Sequence, residues 1–317
     1  MINSYNEWDP LKKVIVGSAS HANWPVHDAT FRAEEDKTLW KESPLPKGPV
    51  PQWIIDEANE DLQILADTLT NLGVEVIRPA DWNFQMHDGM YNYCPRDRLL
   101  VHGRNILDVP MMYHCRDMEM VCYEEVFDMC DNGTDTCGLF DYMPRGEGAE
   151  ERIMDAANVL RLGKDKMLFL ESSSGNKAAY EWLVNRFPEV HIELCNFYAG
   201  VHIDSTIVPL REGLVLLNGS RVNESNCPKV FADWEKIFVD DVVPQEFYQY
   251  PYASKWIALN MLVVDPQTVI LDSRQSSLAR ILEKKGFTTI PLDLRHSRTL
   301  GGGFHCVTLD LLREHNK

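Results

Sequence analysis

The 317-residue chain carries 31 Lys and Arg against 48 Asp and Glu, a formal charge of −17, and is 44% hydrophobic and 10% aromatic. That composition argues against disorder, and an acidic balance without any Lys/Arg run disfavours a nucleic-acid partner or an anionic membrane surface. No apolar run approaches the roughly 20 residues of a membrane span, and the length allows one large domain or two small ones.

The N-terminus, MINSYNEWDPLKKVIVG, has no basic start leading into an apolar core, so no signal peptide is read and a cytoplasmic protein is expected. The sequons at Asn132, Asn218 and Asn223 then carry no meaning. KKVIVG reads as a first strand. Ser18–Gln52 is Pro-rich, which discourages a long helix, and reads as an ordered surface excursion that lines a site. A helix over Glu57–Gly73 and a strand at VEVIRPAD follow. RLLVHG (Arg98–Gly103) and NILDVP are further strand signals.

Cys115–Arg152 is rich in Met and Cys and broken by Gly133, Gly138, Gly146 and Gly148; no element is assigned to it. Cys115, Cys122, Cys130 and Cys137 invite a zinc reading, but their gaps are six, seven and six residues. A structural zinc pair uses gaps of about two to four, so small half-buried thiols are the better account. Eight cysteines without a CxxC in a chain of this length read as reduced.

KMLFLES (Lys166–Ser172), AAYEWLVNRF (Ala178–Phe187) and EVHIELCNF (Glu189–Phe197) run strand, helix, strand. GLVLLNG (Gly213–Gly219) is another strand. NMLVVD (Asn260–Asp265) turns through Pro266 into TVILDS (Thr268–Ser273), a predicted hairpin. SLARILEKKG (Ser277–Gly286) and FTTIPLDL (Phe287–Leu294) complete a third strand–helix–strand copy. Apolar residues recur at helical steps, as at Leu278, Ile281 and Leu282. Gly73 and Gly286 stand where a helix C-cap uses φ > 0. The alternation predicts an α/β repeat architecture closed on itself, with a site where the units meet. A doubly wound nucleotide fold needs a glycine fingerprint after the first strand, and SASHANWP lacks it.

Three segments carry candidate chemistry. In LGGGFHCVTLDLL, three glycines let the backbone approach a ligand closely, and Cys306 follows as a candidate nucleophile; a buried structural cysteine is the blander account. In GVHIDSTIVPL, His202 and Asp204 are two apart on an expected strand and so face one way, a pair suited to acid–base work and to gripping a cation. In RIMDAANVLRLG, Asp155 reads by itself as a helix N-cap before Ala-Ala. A metal held by Asp155, His202 and Asp204 fits by ligand type, but nothing in the spacing is specific to it.

Taken together and in order, NEWDPLKKVIVG, CPRD (Cys94–Asp97), MDAAN (Met154–Asn158), VHIDST (Val201–Thr206), ASKW (Ala253–Trp256) and LGGGFHC (Leu300–Cys306) span nearly the whole chain. The set resembles the amidinotransferase branch of the guanidine-modifying (pentein) enzymes. The resemblance implies a single amidinotransferase domain over 1–317, folded as a five-bladed α/β propeller with the site on its axis. It implies Cys306 as nucleophile, His202 as general acid/base and Asp155 as the acid paired with it. By the same resemblance Asp204 grips the guanidinium, Arg221 and Ser254 bind substrate, Arg221 at the donor carboxylate, and Asp97 contacts the donor's α-amino group. No cofactor or metal is implied; the partners are L-arginine and an amine, with a homodimer as the assembly to test.

Three positions depart from the family pattern. Asn158 stands where the family often has Asp, Ala253 where it often has a serine before Ser254, and Val201 where the glycine-using enzymes commonly have methionine. The first bears on support around the acid. The other two lie near substrate and leave the acceptor open.

The implied chemistry is attack of a thiolate on the guanidinium carbon, with His202 protonating the departing amine to give ornithine. The amidino group then passes from Cys306 to an acceptor amine, glycine being the favoured one and guanidinoacetate its product. An amine of a secondary-metabolite pathway is the alternative acceptor. A hydrolase of the arginine deiminase type would use water, and a catalytically silent propeller that binds a ligand is a third reading.

Overall fold

The computed structural model describes residues 1–33, 44–128, 138–197 and 201–315. Among them, five three-stranded sheets follow one connection rule. Two strands pair antiparallel, the chain crosses over, and a third strand lies parallel to the second. Leu99–His102, Asn105–Asp108 and Leu139–Tyr142 form one such blade. Val159–Arg161, Lys166–Leu170 and His191–Cys195 form the next. Ile207–Arg211, Leu214–Asn218 and Glu235–Val239 follow, then Leu262–Asp265, Thr268–Asp272 and Thr288–Leu292. The remaining blade joins the two ends of the chain. Its middle strand, Leu11–Val16, has Glu75–Ile77 parallel on one side and Thr308–Arg313 antiparallel on the other. A parallel return requires a crossover, whereas an antiparallel pair needs only a tight turn, so the rule fixes where helices can sit.

Three crossovers carry helices: Gln52–Asn71, Lys177–Arg186 and Ser276–Lys284. These are the three copies legible in the sequence. The first starts five residues before the expected Glu57, because Pro51 takes the N-cap position and Gln52 can open the helix at once. It buries Ile54, Ile55, Ala58, Leu62, Leu65 and Leu69 on one face. In Ser276–Lys284 the buried apolar residues are Leu278 and Leu282, while Ile281 is exposed at the edge of that face. Gly73 and Gly286 adopt φ of 81° and 87° with open space where a Cβ would go. Backbone conformation, not crowding, therefore favours glycine there.

Among the described residues, the other two crossovers use shorter helical segments. One contains the 3₁₀ segment His114–Tyr123 and Glu124–Asp128, the other Lys229–Phe231. Within the Ser18–Gln52 excursion, Asn23–Trp24 pairs with Gly48–Pro49 and Ala29–Arg32 forms one helical turn. Cys115 and Cys122 are buried thiols; Cys130 and Cys137, the other half of the zinc reading, lie outside the described residues, as does Gly133.

VHIDST is not strand, contrary to expectation. It forms a turn ahead of Ile207–Arg211, closed by the Thr206 and Ile207 N–H groups donating to the Ile203 carbonyl at 2.8 and 3.0 Å.

Around the axis the innermost strands meet through buried charge. Arg161 donates to Glu7 Oε2 at 2.7 Å, to Asp310 Oδ2 at 2.6 Å and to the Val101 carbonyl at 3.1 Å. Arg313 reaches Asp310 Oδ2 at 2.7 Å and the Val263 carbonyl at 3.0 Å, and Arg96 also pairs with Asp310. Four of the five blades are thus tied to one hub. No helix among the described residues is long and apolar enough to cross a membrane.

Candidate active site

All seven residues singled out from the sequence line one cavity of about 350 Å³: Asp97, Asp155, His202, Asp204, Arg221, Ser254 and Cys306. They come from different elements, so only the ring brings them together. Asp97 sits on the short helix Pro95–Arg98 before a blade, and Asp155 precedes the 3₁₀ turn Ala156–Asn158. His202 and Asp204 lie on the turn before Ile207–Arg211, and Cys306 follows the glycine run before Thr308–Arg313.

Gly301 lines the cavity, while Gly302 and Gly303 lie tight against the protein itself. A Cβ on Gly303 would stand 2.7–2.8 Å from Asn260 atoms, backbone included, and one on Gly302 would collide with the Cys94 thiol and sit 3.1 Å from Tyr93. Glycines let the loop lie flat on these neighbours. Asn260 Oδ1 then accepts the Cys306 N–H at 2.9 Å and fixes the nucleophile's backbone.

Cys306 Sγ lies 3.3 Å from Asp204 Oδ2. Ligand atoms of Cys306, His202 and Asp97 lie within 4.8 Å of one another. His202 Nε2 is 2.9 Å from Asp155 Oδ2, and its Nδ1 is 3.6 Å from Asp97 Oδ1. Asp155 stands at an N-cap position, but its side chain does not cap. Its Oδ1 accepts the Met112 N–H at 2.9 Å, leaving Oδ2 for His202. Among the described residues, the grouping close enough to share an ion is Asp97, His202 and Cys306, not the Asp155, His202 and Asp204 set.

Several residues that sequence reasoning passed over complete the site. Arg116 donates to Asp97 Oδ2 at 2.8 Å and is gripped by Glu119 at 2.6 and 3.0 Å. Asp97 Oδ1 is buried and without a hydrogen-bond partner, 3.6 Å from His202 Nδ1. His305 binds Asp204, and Asn260 holds Cys306. Tyr91, Tyr113, Tyr250, Tyr252, Met90 and Met112 wall the cavity. His305 was visible beside Cys306 in GGGFHC, but the Arg116–Glu119 pair lies in a segment without periodicity and had no signal.

Electrostatics set the resting state. Burial disfavours a charged His202, but Asp97 and Asp155 outweigh it and hold its pKa well above the ordinary value. The Cys306 thiol is pushed well up by its contact with Cys94, by burial and by Asp204, against the pull of His202. Burial raises Asp97, while His202 and Arg116 draw it back only in part. Burial acts on Asp204 too, but bonding to His305 prevails and lowers it to about 2. These directions place a neutral thiol beside an imidazolium and an ionised Asp204 at neutral pH.

Asn158, the departure from the family's second acid, is buried and structural. It donates to the Leu170 carbonyl at 2.8 Å and to Ser172 Oγ at 2.9 Å, and accepts from Ser174 Oγ at 2.9 Å. The Ser174 carbonyl in turn accepts the Asp155 N–H at 2.7 Å. Arg221 donates to Thr206 Oγ1 at 2.7 Å, and Ser254 caps the 3₁₀ turn Lys255–Leu259.

Five blades around a cavity that gathers a cysteine, a histidine and several carboxylates define a pentein-fold enzyme. A dimethylarginine dimethylaminohydrolase structure from Pseudomonas aeruginosa shares the fold at 15% identity and TM-score 0.67, covering 95% of this chain and 99% of that one. No protein-family model matches the chain. Individual relatives do. The inosamine-phosphate amidinotransferase 1 of Streptomyces griseus is 40% identical over 99% of this chain and 97% of its own. A solved inosamine-phosphate amidinotransferase structure from the same organism superposes with TM-score 0.89 at 38% identity, over 100% of this chain and 98% of that one. The mitochondrial glycine amidinotransferase of Xenopus tropicalis is 30% identical over 98% of this chain and 82% of its own. The chain belongs to the amidinotransferase family.

Proposed function

We propose that this amidinotransferase moves the amidino group of L-arginine onto an amine of a secondary-metabolite precursor, through an amidino-Cys306 intermediate. One observation carries the reading: Cys306 Sγ, His202, Asp97 and Asp204 converge on a single point of the cavity, where a flat cation can be gripped from two sides. The Oδ1 of Asp97, which has no hydrogen-bond partner and lies 3.6 Å from His202 Nδ1, is at this end, near the nucleophile. In our reading Asp97 therefore holds the guanidinium with Asp204, rather than the donor's α-amino group. Arg221 takes the donor carboxylate, and Ser254 lines the same wall.

The steps follow from charge. Arginine brings a positive guanidinium against a buried thiol, and the cleft favours loss of the thiol proton to solvent. The thiolate adds to the guanidinium carbon, and His202, already an imidazolium, gives its proton to the departing nitrogen of ornithine. Cys306 keeps the amidino group and His202 becomes neutral. An acceptor amine enters, attacks the same carbon, and loses a proton to His202 as the thiolate leaves. Asp155 holds His202 in place throughout. The hydrophobic wall of tyrosines and methionines restricts water, which separates transfer from hydrolysis.

For the acceptor, glycine gives way to the alternative. The relative at 40% identity is named for inosamine phosphate, and the glycine enzyme stands at 30%. Val201, in place of the methionine of glycine-using enzymes, agrees with that choice. The test is incubation with arginine and a panel of amines that includes glycine, lysine and an aminocyclitol phosphate, read by mass spectrometry. An amidino-aminocyclitol supports the reading; guanidinoacetate as the preferred product restores glycine. The single-domain reading of 1–317 rests on the two chain ends sharing a blade. The homodimer is a separate expectation, read by light scattering.

A further inference from the structure

His202 sits on a turn that packing alone does not hold, because its first residue, Val201, is exposed at the cavity wall. Hydrogen bonds hold it instead. The Val201 carbonyl accepts from Ser172 Oγ and Ser174 Oγ, each at 2.8 Å. On the other side of His202, the Ile203 N–H donates to the Ala157 carbonyl at 3.2 Å. The peptide groups before and after His202, which set its φ and ψ, are thus both pinned to segments around Asp155. Asp155 shares an anchor with them, since its N–H donates to the Ser174 carbonyl at 2.7 Å. Asn158 decides where the serine protons point. The Leu170 carbonyl can only accept, so the Asn158 amide nitrogen faces it at 2.8 Å and gives its second hydrogen to Ser172 Oγ at 2.9 Å. The Ser172 proton is then directed to Val201. Ser174 stands between two acceptors, Asn158 Oδ1 at 2.9 Å and the same Val201 carbonyl. An ionised aspartate at 158, where the family often has Asp, could give Ser172 no hydrogen and would compete with Val201 for both serine protons. Gly175 completes the arrangement, for a Cβ there would collide with the Asn158 amide.

We infer that Ser172 and Ser174 are positioning residues that clamp the Val201 carbonyl and so hold the His202 ring in line between Asp155 and the reacting atoms. This rests on the reading of His202 as general acid and base. In that role His202 first protonates the departing nitrogen and then takes a proton from the acceptor, each time within hydrogen-bond reach. Asp155 is itself fixed, by Ser174 at its N–H and by the Met112 N–H at Oδ1, 2.9 Å away. The 2.9 Å contact between Asp155 and His202 therefore lasts only while the His202 backbone stays in place. Ser173 lines the cavity, but Ser172 and Ser174 on either side of it do not, so both act through the histidine. Asp204, on the same turn, has an anchor of its own in His305 at 2.8 Å. Loosening the clamp should thus misalign His202 and spare the grip on the donor.

Rapid-quench measurement of the first ornithine release, at increasing arginine, tests this in the intact chain. Two hydroxyls serve one carbonyl, so each backs up the other. Ser172→Ala and Ser174→Ala alone should each slow the release by less than about three-fold, and the double variant by about 10- to 100-fold, more than the product of the singles. The arginine concentration at half-maximal rate should move by less than about three-fold in the double variant. A role in the fold at large would not give that split. A double variant that fails to fold, that loses arginine affinity in step with rate, or that keeps the wild-type rate overturns the proposal. His202→Asn separates the proposal from the reading beneath it, and should show no release. Release at the wild-type rate in His202→Asn would mean that His202 is not the acid, and the clamp falls with that reading. Loss of release in His202→Asn, together with a normal rate in the double serine variant, overturns the clamp alone.

Discussion

At the level of single residues, the site at rest is arranged against its own nucleophile. The Cys306 thiol lies against Asp204 and contacts Cys94, and both hold its proton on. Binding a guanidinium should therefore release close to one proton per site near pH 7.5, measurable by calorimetry in buffers of different ionisation enthalpy, and the release should vanish in Cys306→Ala. That variant should also lose turnover while retaining arginine affinity. Activity should fall on both sides of an optimum. His202 is held protonated well above its ordinary range, so the first half-reaction is lost as pH rises through that elevated value. On the acid side the acceptor amine and the thiol lose reactivity by protonation. Arg221→Ala should raise the arginine KM about 10- to 100-fold, the effect of losing a charged hydrogen bond, with a smaller change in kcat. Agmatine, which lacks the carboxylate, should be a poor donor for the wild type and should not be weakened further by the substitution.

Among the elements, the loop 301–306 and the turn 201–206 matter most, and they were unequally legible. The glycine run was plain in the sequence, but its reason was not. Its neighbours Asn260 and Cys94 come from segments 43 and 208 residues away, and only the closed ring reveals them. Gly303→Ala would drive a methyl into the Asn260 backbone and displace the Cys306 N–H from its acceptor. Since a misplacement of about 1 Å can cost about 10²-fold, kcat should fall by that order, and the overpacked loop should also lose about 1–3 kcal/mol of stability. Unaltered kcat in that variant would show that the loop tolerates the shift. The turn 201–206 shows a different limit. Alternating polar and apolar residues in VHIDSTIV read as strand, yet the Ile203 carbonyl accepts from the N–H groups three and four residues on and closes a turn. Local pattern cannot tell a strand from a turn that leads into one. The three long helices were readable because each buries an apolar stripe; the crossovers built on 3₁₀ turns show no such stripe among the described residues, and their returning strands Leu139–Tyr142 and Glu235–Val239 went unread.

Across the whole molecule, closure depends on charge at the axis. Asp310 is fully buried and pairs with Arg161, Arg96 and Arg313, which come from three blade-forming segments. Removing one partner of such a network leaves buried charge unpaired, so Asp310→Asn should destabilise the fold by about 3–5 kcal/mol in denaturant titrations. Burial opposes the Asp310 charge, but the arginines hold its pKa well below the ordinary value. A depressed carboxylate contributes stability above its unfolded pKa and loses it as pH falls through the folded one. The gap between wild type and Asp310→Asn should thus be constant above about pH 5 and shrink below about pH 4. The ring itself was expected from the family resemblance and from repeated strand–helix–strand units, but the hub was not. Glu7, Arg96, Arg161 and Asp310 lie far apart in the chain, and no periodicity links them.

The central claim is a covalent amidino-Cys306 that lives long enough to be passed on, and exchange with labelled ornithine tests it most directly. With arginine as the only other substrate, the enzyme should release about one ornithine per active site and then nearly stop, while added labelled ornithine returns its label to arginine. Steady formation of citrulline and ammonia, or the absence of both burst and exchange, would contradict the account.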